Sequence, residues 1–194
     1  MGNLSSIFPA AAGNNILEVI SGTCDGRTIT VPSGSYTLTA VTTINNLSTN
    51  YEDIRGSVIS YTPPSDANYV LYRFNFKWDS KGSSAISHFR LNVDSTEIIP
   101  AYSHFASQYG GSHSNSHGSF TNTMEYVFDL TAASDDIANG KFSSWTSAKT
   151  IKVNAREYGG SYQASANANT YEDGTSASGE EVFTEPLLTV IAYS

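Results

Sequence analysis

Alternating apolar and polar side chains between Tyr69 and Trp78 restrict the fold of this chain more than any other feature. The apolar positions are Val70, Tyr72, Phe74, Phe76 and Trp78. The polar positions between them are Arg73, Asn75 and Lys77. A period of two over this length predicts a strand with one buried face and one hydrated face. Such strands are typical of antiparallel sheets.

The same alternation recurs in residues 88–94 and 150–156. The inward positions there are Phe89, Leu91, Val93, Ile151, Val153 and Ala155. Turn residues separate the apolar segments, and the strands are predicted at about 53–61, 69–78, 86–94, 96–102, 121–130, 149–158, 161–171 and 182–193. Many short strands separated by turns are typical of sandwiches, so we expect an all-β, antiparallel jelly roll.

Turns, hairpin-type loops and one helical turn are expected between these strands. The paired prolines at 63–64 predict a turn, because proline cannot occupy a central strand. Residues 79–82 and 157–161 are predicted to be hairpin-type loops. One helical turn is expected in residues 134–149, with Ser134 as its N-cap and Gly140 as its end.

The first part of the chain shows no hydrophobic period. Residues 1–22 are predicted to be an extended arm, and a short hairpin is expected to follow around the turn at 32–34. We therefore divide the chain into an arm-and-hairpin unit, residues 1–45, and a jelly-roll domain, residues 46–194. At this length a single core needs no disulfides, and one cysteine, Cys24, excludes an intrachain disulfide framework.

Charge and hydropathy exclude several classes of partner. The net charge of −8 disfavours nucleic-acid binding, which needs a basic stripe. No apolar run reaches the length of a membrane span. We therefore predict neither a nucleic-acid nor a membrane partner.

Motifs for catalysis are absent from the sequence: it contains no GxSxG, HExxH or P-loop pattern. His113 and His117, with His104 upstream, are metal candidates, but a glycine- and serine-rich segment is a poor helix for such a spacing. The acids between 171 and 181 lack the register of a calcium loop. Solvated loops are the favoured interpretation of both segments, and we expect no enzyme activity and no cofactor.

Several short segments resemble small virion proteins of tailed phages, especially phages that infect cyanobacteria. They are Ile20 to Arg27, Ser60 to Pro64 leading into Val70 to Phe76, Ser144 to Lys149, Ala155 to Tyr158, and Pro186 to Val190. The body resembles the TNF/C1q-like jelly roll. Where that family often carries Trp-Asp-Gly, this chain has Tyr171-Glu-Asp-Gly174, so one aromatic anchor is replaced.

The resemblance implies a virion structural role, a homotrimer, and assembly in the host cytoplasm. We expect a capsid decoration protein whose partners are its own copies and the major capsid protein or another virion protein. The predicted trimer-axis residues are Tyr126, Phe128, Leu188 and Val190. The predicted capsid-anchor residues of the arm are Leu4, Ile7, Phe8, Ile16 and Leu17.

Two alternatives remain open. The first is a tail-tip or fibre module that binds host surface polysaccharide through the loop around 103–120, whose aromatic residues would stack on sugar rings. Those residues are Tyr102, Phe105, Tyr109 and Phe120. The second is a cellular C1q-like lectin, which the lack of a recognisable leader sequence disfavours.

Overall fold

The computed structural model describes residues 15–81, 84–108, 118–171 and 180–194. It is 58% strand and 4% helix, with antiparallel sheets of which one curls into a half-barrel. The prediction of an all-β jelly-roll sandwich is therefore confirmed. Sixteen strands lie within the described residues. They are β1 (Ile16–Thr23), β2 (Thr28–Val31), β3 (Gly34–Thr37), β4 (Asn45–Asn46), β5 (Glu52–Asp53), β6 (Ile59–Tyr61), β7 (Tyr69–Ser80), β8 (Ser84–Val93), β9 (Thr96–Glu97), β10 (Ser103–Gln108), β11 (Gly118–Asp129), β12 (Lys149–Glu157), β13 (Ala164–Ala166), β14 (Ala168–Tyr171), β15 (Glu180–Phe183) and β16 (Leu187–Tyr193).

Sheet I is built around β7, the strand with the clearest alternation. β11 pairs with β7 along its whole length. On the other side, β16 pairs with the first part of β7 and β13 with its last part. β1 extends the sheet beyond β16, and β4 extends it beyond β13.

Sheet II is built around β8 and β12, which pair with each other. β10 pairs with the other side of β8, and β9 pairs with the end of β8. β5 and β6 both pair with β12. Two further pairs, β2 with β3 and β14 with β15, form small two-stranded sheets.

The core lies between the inward faces of the two sheets. The inward side chains of β7 are 0–2% exposed, as the alternation predicts. Phe76 of sheet I packs on Phe89 of sheet II with ring centroids 5.6 Å apart. The indole of Trp78 donates a hydrogen bond across the core to the hydroxyl of Ser87 (2.9 Å). The described core therefore joins both sheets.

The N-terminal part of the described chain belongs to the same body. The hairpin of β2 and β3 forms around residues 32–33, as predicted. However, β1 pairs with β16 from Ile16 to Thr23, so the last part of the predicted arm is a strand of sheet I. Ile20, Leu38 and Val41 also contribute to the common core. No structural break therefore separates residues 15–45 from the rest of the described chain.

Several predicted strands are shorter or interrupted. In place of the predicted strand at 53–61, β5 ends at Asp53 and β6 begins at Ile59, with a turn between them at Gly56, whose φ is 86°. Residues 96–102 contain β9 followed by a 3-10 helix at Ile99–Ala101. The predicted strand at 161–171 is divided into β13 and β14 at Asn167, whose φ is 57°. In each case a local backbone change interrupts an apolar segment that the alternation alone reads as continuous.

The predicted helical turn is present but shorter. It is a 3-10 helix at Ile137–Asn139 that ends at Gly140 in the left-handed conformation. A Cβ at Gly140 would lie 2.3 Å from the ring of Tyr126, so glycine suits this close approach. The residue before the helix is Asp136, not Ser134.

The two predicted hairpin loops do not join paired strands. β7 lies in sheet I and β8 lies in sheet II, so the connection between them crosses from one sheet to the other. The connection from β12 to β13 crosses back in the same way. Turn chemistry predicts a change of direction, whereas backbone pairing decides which sheet the next strand joins.

Candidate binding surfaces

Three of the four predicted trimer-axis residues lie inside the chain's own core. Phe128, Leu188 and Val190 are each 0% exposed. Tyr126 is partly buried, packs on the ring of Phe128 and donates a hydrogen bond to the carbonyl of Asn139 (2.9 Å). Burial contradicts the predicted subunit axis for Phe128, Leu188 and Val190, because a period of two identifies an inward face without distinguishing one chain's core from an interface. For Tyr126 the assignment stays a prediction.

The predicted capsid-anchor residues divide into two groups. Ile16 and Leu17 lie in β1, where Ile16 is 66% exposed and Leu17 packs against the core. Leu4, Ile7 and Phe8 lie outside the described residues. The structure therefore assigns Ile16 and Leu17 to sheet I.

The predicted loop residues also divide. Phe105 of β10 and Phe120 of β11 pack on Trp78 and on each other, with centroids 4.6–6.0 Å apart. Tyr102 is 47% exposed and donates a hydrogen bond to Glu97. Tyr109, His113 and His117 lie outside the described residues.

The outward face of sheet I carries an aliphatic row that local patterns did not reveal. Its members stand side by side on four neighbouring strands: Val19, Ile191, Leu71 and Val127. Val19 and Val127 are 42% and 43% exposed. Exposed apolar side chains that form a continuous patch commonly mark an interaction surface.

Polar and aromatic pairs border this aliphatic row. On one side, Arg73 and Glu125 form an ion pair. On the other side, the rings of Tyr69 and Tyr193 stack with centroids 5.3 Å apart. The backbone of Asn15 pairs with that of Ser194 beyond this tyrosine pair, so the described chain enters sheet I next to the row.

The outward face of sheet II has the opposite chemistry. We call it the cation–aromatic face and define it by six residues: Tyr51, His88, Arg90, His104, Arg156 and Tyr158. Register places the two histidines and Arg156 opposite one another on three neighbouring strands. The guanidinium carbon of Arg90 lies 3.8 Å from the ring centre of Tyr51, and that of Arg156 lies 5.3 Å from it. Guanidinium groups over aromatic faces are attracted by the ring quadrupole.

Electrostatics on the cation–aromatic face are unfavourable for additional positive charge. Burial, followed by the charges of Arg156 and then His104, lowers the pKa of His88. Arg90 has an acidic partner, because it forms an ion pair with Glu97. The hydrogen bond to Glu97 also raises the pKa of the neighbouring Tyr102.

A buried carboxylate links β1 to the hairpin of β2 and β3. Glu18 is 5% exposed. It accepts hydrogen bonds from the hydroxyl and the backbone N–H of Ser33 (2.6 and 3.0 Å) and from the hydroxyl of Tyr61 (2.6 Å). Burial and this bond raise the pKa of Tyr61. With its acceptor atoms occupied, Glu18 has a structural role.

Cys24 is also a structural residue. Its side chain is fully buried, and its thiol donates to the carbonyl of Gly56 (3.3 Å). Burial, reinforced by the charge of Asp25, raises the pKa of the thiol to about 12. The thiolate is therefore scarce at neutral pH, and the residue is unsuited to nucleophilic chemistry.

Within residues 15–81, 84–108, 118–171 and 180–194, no three His, Cys, Asp or Glu side chains converge as metal ligands. No helix of the described chain has the length and hydropathy needed to span a membrane. A scan against protein-family models and a search of curated proteins both found no match.

Proposed function

We propose that this protein is a structural subunit of a phage virion and that it decorates the capsid as a homotrimer. The observation that carries the proposal is the aliphatic row on the outward face of sheet I. The segments that resemble small virion proteins, and the jelly-roll fold, support the same role. A structural role makes use of surface contacts.

A second copy of the chain is the occupant that we assign to the aliphatic row. Fully burying a valine or leucine side chain is worth about 1.5–3 kcal/mol, so covering this row favours association. The adjacent ion pair of Arg73 and Glu125 and the tyrosine pair provide a mixed rim, as protein interfaces usually have. Contacts that close by rotation then give a ring of subunits.

Attachment to the particle is assigned to the segment before β1. Leu4, Ile7 and Phe8 are its large apolar side chains, and they would gain apolar contacts on a capsid protein. Ile16 and Leu17 are no longer part of this proposal, because they pair within sheet I. Since the chain enters sheet I beside the aliphatic row, attachment and trimer contacts would be neighbours.

The double variant Val19→Glu/Val127→Glu tests the trimer. Light scattering at micromolar concentration should give a trimer mass for the wild type and a monomer mass for the variant, because charges replace the row's apolar side chains. Thr123→Glu, an exposed outward position on the same strand as Val127, is the control and should remain trimeric. A monomeric wild type, or a trimeric double variant, would contradict this assignment.

Copy number in purified particles tests the location. Quantitative mass spectrometry should give hundreds of copies per virion for a head decoration protein. A few to tens of copies would instead favour the second candidate, a tail module that binds host polysaccharide. Its supporting observation is the exposure of Tyr102, just before the start of β10, and of Phe120, near the start of β11, which are 47% and 37% exposed.

A further inference from the structure

The cation–aromatic face concentrates positive charge in an acidic protein. The chain has 10 Lys and Arg residues against 18 Asp and Glu residues. Two of the arginines, Arg90 and Arg156, nevertheless lie over the same ring, that of Tyr51. His88 and His104 continue the group across β8 and β10 with ring centroids 6.3 Å apart.

Part of this charge has no partner within the described residues. Arg90 is paired with Glu97, but no ion pair of Arg156 is found in residues 15–81, 84–108, 118–171 or 180–194. The Nε atom of Arg156 and the Nε2 atom of His88 are buried and make no hydrogen bond to that part of the chain. Those two atoms are enclosed by the chain itself, so the group that this face offers to a ligand with acceptor oxygens is the charge of Arg156, which has no acidic partner among the described residues.

Exposed aromatic rings lie beside these cations. Tyr158 is 57% exposed and stacks on His88 with centroids 6.1 Å apart. Tyr162 packs edge-on against Tyr158 and lines a shallow depression of about 260 Å³ with Ile86 and Ala106. The rings offer apolar surfaces to the C–H faces of a sugar, while the guanidinium groups offer forked donors to a carboxylate or sulfate.

We propose that the cation–aromatic face binds an anionic polysaccharide that carries carboxylate or sulfate groups. The face is open and follows a row of the sheet, which suits an extended polymer. The net charge of −8 opposes long-range attraction of any polyanion, polysaccharide and nucleic acid alike. Recognition therefore has to come from local charge together with the tyrosine rings.

The proposal goes beyond the decoration role and does not rest on it. The cation–aromatic face belongs to sheet II, whereas the aliphatic row assigned to subunit contacts belongs to sheet I. If the polysaccharide did not bind, the trimer mass and the copy number per virion would be unaffected. Conversely, a monomeric protein would retain every residue of this face.

Isothermal titration with matched polymers is the experiment that tests the proposal. The probes are an alginate oligosaccharide and dextran sulfate, with neutral dextran and a single-stranded oligothymidine of equal charge as controls. We expect the full chain to bind both anionic polysaccharides and neither control. Absence of binding to both anionic polysaccharides, or equal binding of the oligothymidine, would overturn the proposal.

Variants localise the site. Arg156→Gln and Tyr51→Leu should each weaken binding of dextran sulfate by about tenfold or more, as expected for a lost charge-assisted contact or its supporting ring. Arg73→Gln removes the same charge from sheet I and should leave the affinity within about twofold. All three variants should first show a wild-type circular dichroism spectrum and cooperative melting. An equal loss in Arg73→Gln, or full affinity in Arg156→Gln, would show that this face is not the site.

Discussion

The outward faces of the two sheets differ although their inward faces are alike. Inside, both sheets bury alternating aromatic and aliphatic side chains in one core. Outside, sheet I presents the aliphatic row bordered by a tyrosine pair, whereas sheet II presents paired guanidinium groups over Tyr51. Inward positions must carry side chains that can be buried. Only the outward positions can vary according to what each face contacts.

Inward side chains of β7 should contribute much more to stability than outward ones, and Phe74→Ala tests this difference. Phe74 is 0% exposed, and its truncation should lower the free energy of unfolding by about 3–5 kcal/mol, as for other buried aromatics. Asn75→Ala, one residue along on the outward face, should cost less than about 1 kcal/mol. Urea denaturation measures both values. Similar losses at the two positions would show that both faces of β7 are buried in the assembled protein.

Glu18 is a buried carboxylate on the inward side of sheet I, and Glu18→Ala measures its contribution. Removing the carboxylate leaves the backbone N–H of Ser33 and the hydroxyl of Tyr61 without their acceptor, so the free energy of unfolding should fall by about 2–3 kcal/mol. Glu125→Ala, which breaks an exposed ion pair on the outward side, should cost less than about 1 kcal/mol. Thermal melting with calorimetry measures both losses. Equal losses would show that Glu18 contributes no more to stability than an exposed ion pair does.

The smallest expected effect is a difference in acid sensitivity between the two faces. The pKa of His88 on sheet II is lowered in the folded protein, so its contribution to stability is complete above the unfolded pKa of about 6.5 and is lost as pH falls below it. Hydrogen bonds from Thr131 lower the pKa of Asp129 on sheet I, so its contribution is lost only below the unfolded value of about 3.9.

Urea denaturation between pH 8 and pH 3 measures both windows. His88→Gln should make the free energy of unfolding less dependent on pH just below about pH 6.5. Asp129→Asn should do the same below about pH 4. Each change should be under about 1 kcal/mol, because both side chains remain partly exposed to solvent. A profile for His88→Gln that is superimposable on the wild type down to pH 5 would mean that His88 is not perturbed by its surroundings.

Local sequence patterns indicate which side chains of this protein are buried better than they indicate what its outward faces contact. Alternation in β7, β8 and β12 identified the buried side chains of both sheets, because the period of a strand is a local property. The predicted subunit axis was wrong for Phe128, Leu188 and Val190, because these side chains lie in the chain's own core. The alternation correctly placed these side chains on the inward face of their strands. It does not show whether an inward face packs on the same chain or on another subunit.

The candidate surfaces were missed for a related reason. Arg90 and Arg156 each stand at an outward position of a predicted strand, where the alternation by itself predicts only exposure to solvent. Their meeting over Tyr51 depends on the register of β8, β12 and β5. The aliphatic row likewise takes one residue from each of four strands, and no local window of the sequence contains them together.

Local alternation and turn residues were sufficient to specify an all-β chain, the inward phase of its longest strands and the hairpin of β2 and β3. Each of these depends on neighbours a few residues apart. Tertiary structure alone decided that β7 and β8 join different sheets, that β1 completes sheet I, and which side chains share an outward row. The reason is that strand pairing is a hydrogen-bonding choice between distant segments, and a shift of one residue would turn every outward row inward.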